Sequence, residues 1–573
     1  MNRTRRDFLI QSGALMALTA CGGSRYLAGS GGNPGGRPNL VLIFADEMDT
    51  SFVGAYGGKF PTPNLDRMAK QGARFDEAYC VSPVCAPSRY SVLTGQYPGR
   101  CDNPDFTEKY PKDEKYVIGW NTTMWKQSPS LARMLSSAGY FTGFAGKWGV
   151  GFDRELRENY SNQPIDKNAD LDDPAVDRKL REHQAQTVEN VKQTAGFDFA
   201  ASVFPGNVSG RMPERLHHHN IEWITKGALE FLDEAAKRDQ PFFLYLTPTT
   251  VHGPDHSKDL DADPLYTVGG KLDKPVAAHP SRKSIRERLE KAGVEIESES
   301  VGMTFFDDQV GAILDKIEAM GAADNTLVVF MPDHGVEPGK ATCFQQGVQI
   351  PMLAQWPAKI PAGSVVSQRV QNVDVMPTFL AAAKTSLPEG PTFDGIDMTP
   401  SMVAGEKIKR EPLYFEFGVT RAVLKNNFKY VAFRYTDEAI AKMEKGEVDV
   451  ALDYLQTTRQ LHSDIAIRYF PAYFEPDQLY DLSMDPNEQR NLAQDPRHAA
   501  IFQDMQRELE KKIKSIGHPF SLEVPRFMRS AKFRELAKKR QAASANRKWW
   551  HEDFSWPEPP KEYPKITDPQ LRP

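Results

Sequence analysis

Asn39-Leu-Val-Leu-Ile-Phe-Ala45 is followed at once by Asp46-Glu47. An unbroken apolar run of this length, with no polar alternation, reads as a strand buried on both faces. Working outward from it, helical and strand-like segments alternate. Thr62 to Gln71 reads as a helix with a Pro near its start and Gly72 as its stop. Ser130 to Ala138 reads as a helix ended by Gly139, and Tyr140 to Ala145 as the strand after it. Arg215 to Lys237 has the pattern of a long amphipathic helix leading into the strand Phe242 to Leu246. Met303 to Met320 reads as another helix, before the buried strand Thr326 to Phe330. This alternation predicts an α/β fold, with a large, mixed but mostly parallel sheet flanked by helices.

After residue 387 the segments shorten: strands at Leu413 to Phe417, Arg421 to Val423 and Lys429 to Phe433, then a helix from Ala499 to Ile516. They predict a smaller C-terminal α+β domain over residues 388–524, behind a catalytic domain at 38–387. The remaining residues, 525–573, begin basic and helical in character and end rich in Pro and aromatics from Trp549 onward.

The N-terminus reads as an address rather than as part of the fold. Thr4-Arg5-Arg6-Asp7-Phe8-Leu9 has the twin-arginine pattern, and an apolar stretch runs from there to Leu18. Leu18-Thr19-Ala20-Cys21 resembles a bacterial lipobox, so residues 1–21 are expected to be a Tat or lipoprotein signal and Cys21 a lipid anchor. Residues 22–37 then form a Gly-rich linker. Export by a bacterium to the periplasm or cell surface follows. A net charge of -5 over 573 residues gives no electrostatic reason to expect nucleic acid as a partner. Five cysteines are too few for a disulfide framework, although a Cys80–Cys101 bridge is conceivable after export.

Several chemically active side chains fall just past strand ends: Asp46, Lys147, His252 and Asp333. Ligands of open α/β sheets bind beyond the carboxyl ends of the strands, so one shared site is expected. The central stretch is Pro83-Val-Cys-Ala-Pro-Ser-Arg-Tyr-Ser-Val-Leu-Thr-Gly95. Pro87 suits an early helical position, which puts Cys85 at or just before a helix N-terminus, where free N–H groups favour an anion. Arg89, one turn on, returns a fixed cation to the same spot.

Residues 83–95 resemble the first signature of the formylglycine-dependent sulfatases, the S1 family of the alkaline-phosphatase superfamily, with Cys85-Ala-Pro-Ser-Arg89 as the modification motif. The resemblance runs on to Leu479-Tyr-Asp-Leu-Ser-Met-Asp-Pro-Asn-Glu-Gln-Arg-Asn-Leu492, which looks like the family's C-terminal landmark. It implies an alkaline-phosphatase-like fold and hydrolysis of a sulfate monoester, and the expected export, to where bacteria meet extracellular polysaccharide, points to a sulfated carbohydrate. It implies further that a maturase oxidises Cys85 to formylglycine, whose hydrate attacks sulfur and then expels sulfate. Asp46, Glu47, Cys85, Asp333 and His334 match its divalent-metal site. Oxygen ligands favour Ca²⁺, while the His334 nitrogen leaves Mn²⁺ or Mg²⁺ open. Lys147 closes a stretch similar to the second signature, and Lys340 and His252 match residues that contact sulfate, with His252 suited to protonating the leaving group.

Three departures stand out: Glu47 where the family has Asp, Gln349 where it often has Arg, and Gly149 where it often has a His two residues beyond the lysine. The run His217-His218-His219 offers a substitute for that His but reads more readily as a solvated surface. Two other functions remain open on the sequence. One is a phosphomonoester or phosphonate hydrolase of the same superfamily, the other an inactive glycan-binding surface protein. Loops at 102–126 and 153–213 are where substrate choice would be made.

Overall fold

Alternate residues of the Asn39–Ala45 strand enter different cores: Leu40, Leu42 and Phe44 one, Val41, Ile43 and Ala45 the other. Each fully buried Leu, Ile or Phe contributes about 1.5–3 kcal/mol, so the strand is tied to both layers it separates. This computed structural model describes residues 36–545, apart from 159, 279, 411 and 451–460. The signal segment, most of the Gly-rich linker and the stretch from Trp549 onward lie outside the described residues.

The main sheet has eight strands. Asn39–Ala45 lies between Thr326–Pro332 and Phe242–Thr247, parallel to both. Phe141–Lys147 and Phe199–Phe204 continue the parallel sheet beyond Phe242–Thr247. On the other side Leu353–Gln355 runs antiparallel to Thr326–Pro332, followed by Ala73–Phe75 and Ser364–Val366. Helices Pro63–Gln71, Ile221–Ala235 and Ser298–Ala319 cover one face, through Leu65, Phe231 and Phe305 among others. Cys85–Thr94, Leu131–Ser137 and Val375–Ala382 cover the other, through Tyr90, Leu135 and Phe379. This is the mixed, mostly parallel α/β sheet that the alternating pattern predicts.

A four-stranded antiparallel sheet follows, Leu413–Phe417, Thr420–Lys425, Phe428–Phe433 and Asp477–Asp481 in that order. Helix Ala499–Ile516 packs Met505, Leu509 and Ile513 on one face, against Val423 and Tyr430. The other face, with Phe415, Ala422 and Leu424, joins the catalytic core. The smaller sheet is therefore anchored by apolar side chains on both sides.

Some local expectations need correction. The helix expected from Arg215 starts at Ile221, because Asn220 takes a left-handed φ of 47° and Glu214–Leu216 is only a 3-10 turn. The helix expected from Met303 starts at Ser298, where the Glu297 and Ser300 side chains cap each other's backbone amides. Its first turns carry polar residues that are nonetheless buried, and apolar periodicity alone passes over them. Cys80 and Cys101 are free, buried thiols that face different segments, at Gly347 O (3.6 Å) and Thr123 O (3.5 Å).

Beside the smaller sheet lies a fully buried ion pair, Lys429 with Glu488 at 3.0 Å, and Glu488 reaches across to the catalytic part by accepting from Gln345 N. Removing one member of a buried pair strands the other charge, at a cost of about 3–5 kcal/mol, whereas an apolar replacement of both is close to neutral. Glu488→Ala is expected to lower the unfolding free energy, measured in urea, by that cost, and Lys429→Met with Glu488→Leu to recover most of it.

Candidate active site

The parallel register sets Ala45 opposite Pro332, so the next residues, Asp46 and Asp333, leave the sheet side by side. Both carboxylates are fully buried. Two bare buried charges are very costly, and the site supplies cations to hold them. Arg89 donates from Nε to Asp333 Oδ2 (3.0 Å) and from Nη1 to Lys147 O (3.1 Å), with Nη2 2.9 Å from Asp333 and 3.7 Å from Asp46. Lys147 Nζ donates to Asp46 and lies 3.3 Å from Cys85 Sγ. Although burial opposes it, Lys147, His252 and Arg89 together hold the Asp46 carboxyl well below the usual range.

Cys85 is the first residue of its helix, and all ten residues of Cys85–Thr94 are buried. Ser88 fixes the helix end by donating to Asp333 O and accepting from Asn372 Nδ2 (2.8 Å). Cys85 Sγ sits 3.5 Å from Asp46 Oδ1 and 3.3 Å from His334 Nε2. Burial, then the Asp46 charge, pushes its thiol up to about 12, which disfavours a plain thiolate nucleophile.

Ligand atoms of Asp46, Cys85, Asp333 and His334 lie within 4.8 Å of one another. His334 Nδ1 faces its neighbour's carbonyl, Gly335 O, at 2.8 Å, so Nδ1 carries the proton and the Nε2 lone pair points at Cys85 and the two acids. That orientation is what a metal-ligating imidazole needs. Two carboxylates, one nitrogen and the position-85 side chain thus fit a divalent cation.

Glu47 departs from this group. Its backbone N–H donates to Asp333 Oδ1 (3.1 Å) in a left-handed conformation (φ 60°), while its carboxylate pairs with Lys340 Nζ. Burial alone would raise the Glu47 carboxyl, but Lys340, with His252 and His334 behind it, brings it down to about 2. Lys340 rides on a loop held by Ala341 N to Pro83 O (3.1 Å) and Gly335 N to Gly347 O (3.0 Å).

His252 reaches the same place from the strand Phe242–Thr247. Reciprocal backbone bonds, Asp46 N to Thr250 O (2.9 Å) and Val251 N to Asp46 O (2.7 Å), set its loop alongside the first strand's end. Its Nδ1 faces Gly253 O (2.9 Å), leaving Nε2 to accept from Asn207 Nδ2 (3.3 Å), 3.7 Å from Glu47. Burial and Lys340 pull this imidazole down to about 4.

Gly149 has a left-handed φ of 70°, and a Cβ there would meet Arg89 Cδ at 3.2 Å and Lys147 Cε at 3.4 Å. A side chain at that position would be strained and would press on the Arg89 and Lys147 side chains, which favours glycine there. The histidine run is not a solvated surface either: His218 and His219 are 3% and 0% exposed. At Cys85 opens a cleft of about 330 Å³, lined by Trp120 and Thr123 from one loop, Phe152 and Tyr160 from the stretch before helix Pro174–Ala195, and Pro205 and Asn207 from the stretch after strand Phe199–Phe204. Asn207 belongs to no motif, and nothing in the sequence marks it.

The family model for sulfatases matches residues 38–385, well over half of the chain. The chain belongs to the sulfatase family. It is therefore a hydrolase of sulfuric esters. A second model, the C-terminal part of N-sulphoglucosamine sulphohydrolase, matches residues 334–439 of this sulfatase. Human arylsulfatase A is 28% identical over 79% of this chain and 83% of its own length. N-acetylgalactosamine-6-O-sulfatase of Bacteroides thetaiotaomicron is 24% identical over 86% and 96%. The fold matches a structure from glycosaminoglycan metabolism in that bacterium, at a TM-score of 0.55 and 21% identity over 84% of this chain and 99% of the other. It also matches a structure holding its substrate D-glucosamine-2-N,6-O-disulfate, at 0.54 and 18% over 84% and 98%.

The Glu47–Lys340 pair makes a pH prediction. Its carboxyl is lowered from 4.5 to about 2, so the stabilisation is complete above pH 4.5 and is lost as pH falls towards 2. The loss amounts to about 3 kcal/mol over that window. Lys340→Met is expected to remove most of this dependence, measured as urea unfolding free energy at stepped pH.

Proposed function

We propose that this sulfatase removes sulfate from a sulfated carbohydrate, using formylglycine made from Cys85. The observation that carries the reading is the position of Cys85: first residue of a buried helix, at the floor of a cleft, within 3.5 Å of Asp46, Lys147 and His334. The hydrate of the aldehyde supplies the hydroxyl that displaces the alcohol from sulfur. Asp46, Asp333 and His334, with residue 85, would hold a divalent cation, which would supply positive charge to the sulfate oxygens when bound. Ca²⁺ suits the carboxylates, and the His334 nitrogen keeps Mn²⁺ or Mg²⁺ in competition.

The chain's own groups do the rest. Arg89 pairs with both acids and keeps them aligned. Lys147 and Lys340 face the sulfate from two sides and stabilise charge that grows on it in the transition state. His252 presents Nε2 to the leaving oxygen; the anionic ester draws its proton affinity back up, and it protonates the departing alcohol. Glu47 holds Lys340 and His252 rather than ligating the cation.

The carbohydrate assignment is supported by the sugar sulfatases among the relatives and by a cleft that includes Trp120, Phe152 and Tyr160 in its lining. Twin-arginine export through residues 1–21 and lipidation of Cys21 complete the reading, with maturation of Cys85 by a formylglycine-generating enzyme before export. Among the described residues no helix is long and apolar enough to cross a membrane.

Protein co-expressed with a maturase is expected to show, by mass spectrometry, the peptide bearing residue 85 as the aldehyde or its hydrate. Cys85→Ala is expected to lower kcat on an aryl sulfate by about a thousandfold or more. An intact thiol in protein with full activity overturns the reading, as does faster turnover of the matching aryl phosphate. His334→Ala is expected to weaken divalent-cation binding by at least about tenfold in calorimetry, with the larger loss for Mn²⁺ than for Ca²⁺.

A further inference from the structure

His219, His256 and Asp259 form a second buried cluster beside the loop that carries His252, with ligand atoms within 4.8 Å of one another. Its geometry is not that of a metal centre. The two imidazoles are stacked, centroids 3.8 Å apart and planes 24° from parallel, so their in-plane lone pairs do not converge on one point. Both nitrogens of His219 are moreover engaged: Nδ1 with Thr249 Oγ1 (2.9 Å) and Nε2 with Pro254 O (3.0 Å).

Those two partners lie on either side of His252. Thr249 is three residues before it and Pro254 two residues after it, so one rigid ring spans the segment that presents the histidine. The ring is itself fixed. His219 N–H donates to Asp259 Oδ1 (3.2 Å), and His256 Nδ1 meets Asp259 Oδ2 (3.2 Å) beneath it. His256 in turn fits because residue 302 is glycine; a Cβ there would lie 2.8 Å from its ring.

We propose that His219 is a positioning residue for His252, clamping the Thr249–Pro254 loop so that His252 Nε2 meets the leaving oxygen. This rests on the role given to His252 above. Carbonyl acceptance at Pro254 O requires the proton on Nε2, and Nδ1 then accepts from the Thr249 hydroxyl; a neutral ring meets both demands. Burial, with His256 beside it, pulls the His219 imidazole down to about 3, so the ring stays neutral through the working range. His219 touches neither sulfate nor leaving group. Its effect on turnover passes through the placement of His252, and a displacement of about 1 Å costs on the order of a hundredfold in rate.

The test uses mature enzyme with two substrates, 4-nitrophenyl sulfate and unsubstituted phenyl sulfate. The first leaves without help; the second needs the proton. His219→Ala is expected to lower kcat on phenyl sulfate by about a hundredfold, but on 4-nitrophenyl sulfate by less than about threefold, with KM nearly unchanged on both. His219→Gln, whose amide can still donate to Pro254 O, is expected to restore most of the loss. On a His252→Ala background, His219→Ala is expected to add almost nothing. Should His219→Ala not fold, Thr249→Val removes one end of the clamp alone and is expected to give the same leaving-group pattern at smaller size. Equal loss on the two substrates, no loss on phenyl sulfate, or full additivity with His252→Ala overturns the clamp. If His252→Ala itself fails to distinguish the substrates, the acid role of His252 falls and the clamp falls with it; if His252→Ala distinguishes them and the clamp variants do not, only the clamp falls.

Discussion

Two adjacent parallel strands end in acids in the same register, and the rest of the site answers to that repulsion. With Ala45 opposite Pro332, Asp46 and Asp333 cannot avoid one another. At an effective dielectric near 20, two like charges about 4 Å apart repel by about 4 kcal/mol, comparable to much of a domain's net stability. Arg89 and Lys147 are the local answer, and both are buried with the acids. Each comes from a separate element, the helix Cys85–Thr94 and the strand Phe141–Lys147, so the sheet, the helix and the cation site form one electrostatic unit.

This also explains which parts of the molecule the sequence discloses. The strands are plain because burial on two faces leaves only apolar residues between Asn39 and Ala45 or between Thr326 and Phe330. The acids are plain because strand ends are where such sheets work. Less visible are polar groups buried to serve others. His218 and His219 look like a hydrated run, and only the folded loop Thr249–Pro254 shows what His219 holds. The early turns of Ser298–Ala319 look too polar for a core helix until Asp307 is seen accepting from the amides of Asn64 and Leu65, at the start of another helix. Such pairings join residues more than two hundred positions apart, and no periodicity records them.

Glu47 shows the same limit at the level of one side chain. The residue type suggests a cation ligand with a longer arm. The left-handed backbone at φ 60° instead sends its amide to Asp333, and its carboxylate pairs with Lys340. A pattern match carries residue identity forward; direction is set by the backbone, which the pattern does not encode. Gly149 is the converse case, where the missing side chain follows from a left-handed turn pressed against Arg89.

The smaller sheet has a part in this as well. Glu488, within the stretch that closes the family resemblance, pairs with Lys429 and receives the amide of Gln345. Gln345–Val348 is the short helix that ends the loop bearing Lys340, and Gly347 O in turn fixes Gly335 beside His334. Glycines at 335, 339 and 347 let that loop fold on itself so closely that a Cβ at any of them would lie within 2.2 Å of backbone. Nothing in the loop has freedom to drift, provided its far end is held. The C-terminal sheet holds it with a charge that has no solvent to compete for it, and in this way a segment with no group in the cleft determines where Lys340 points.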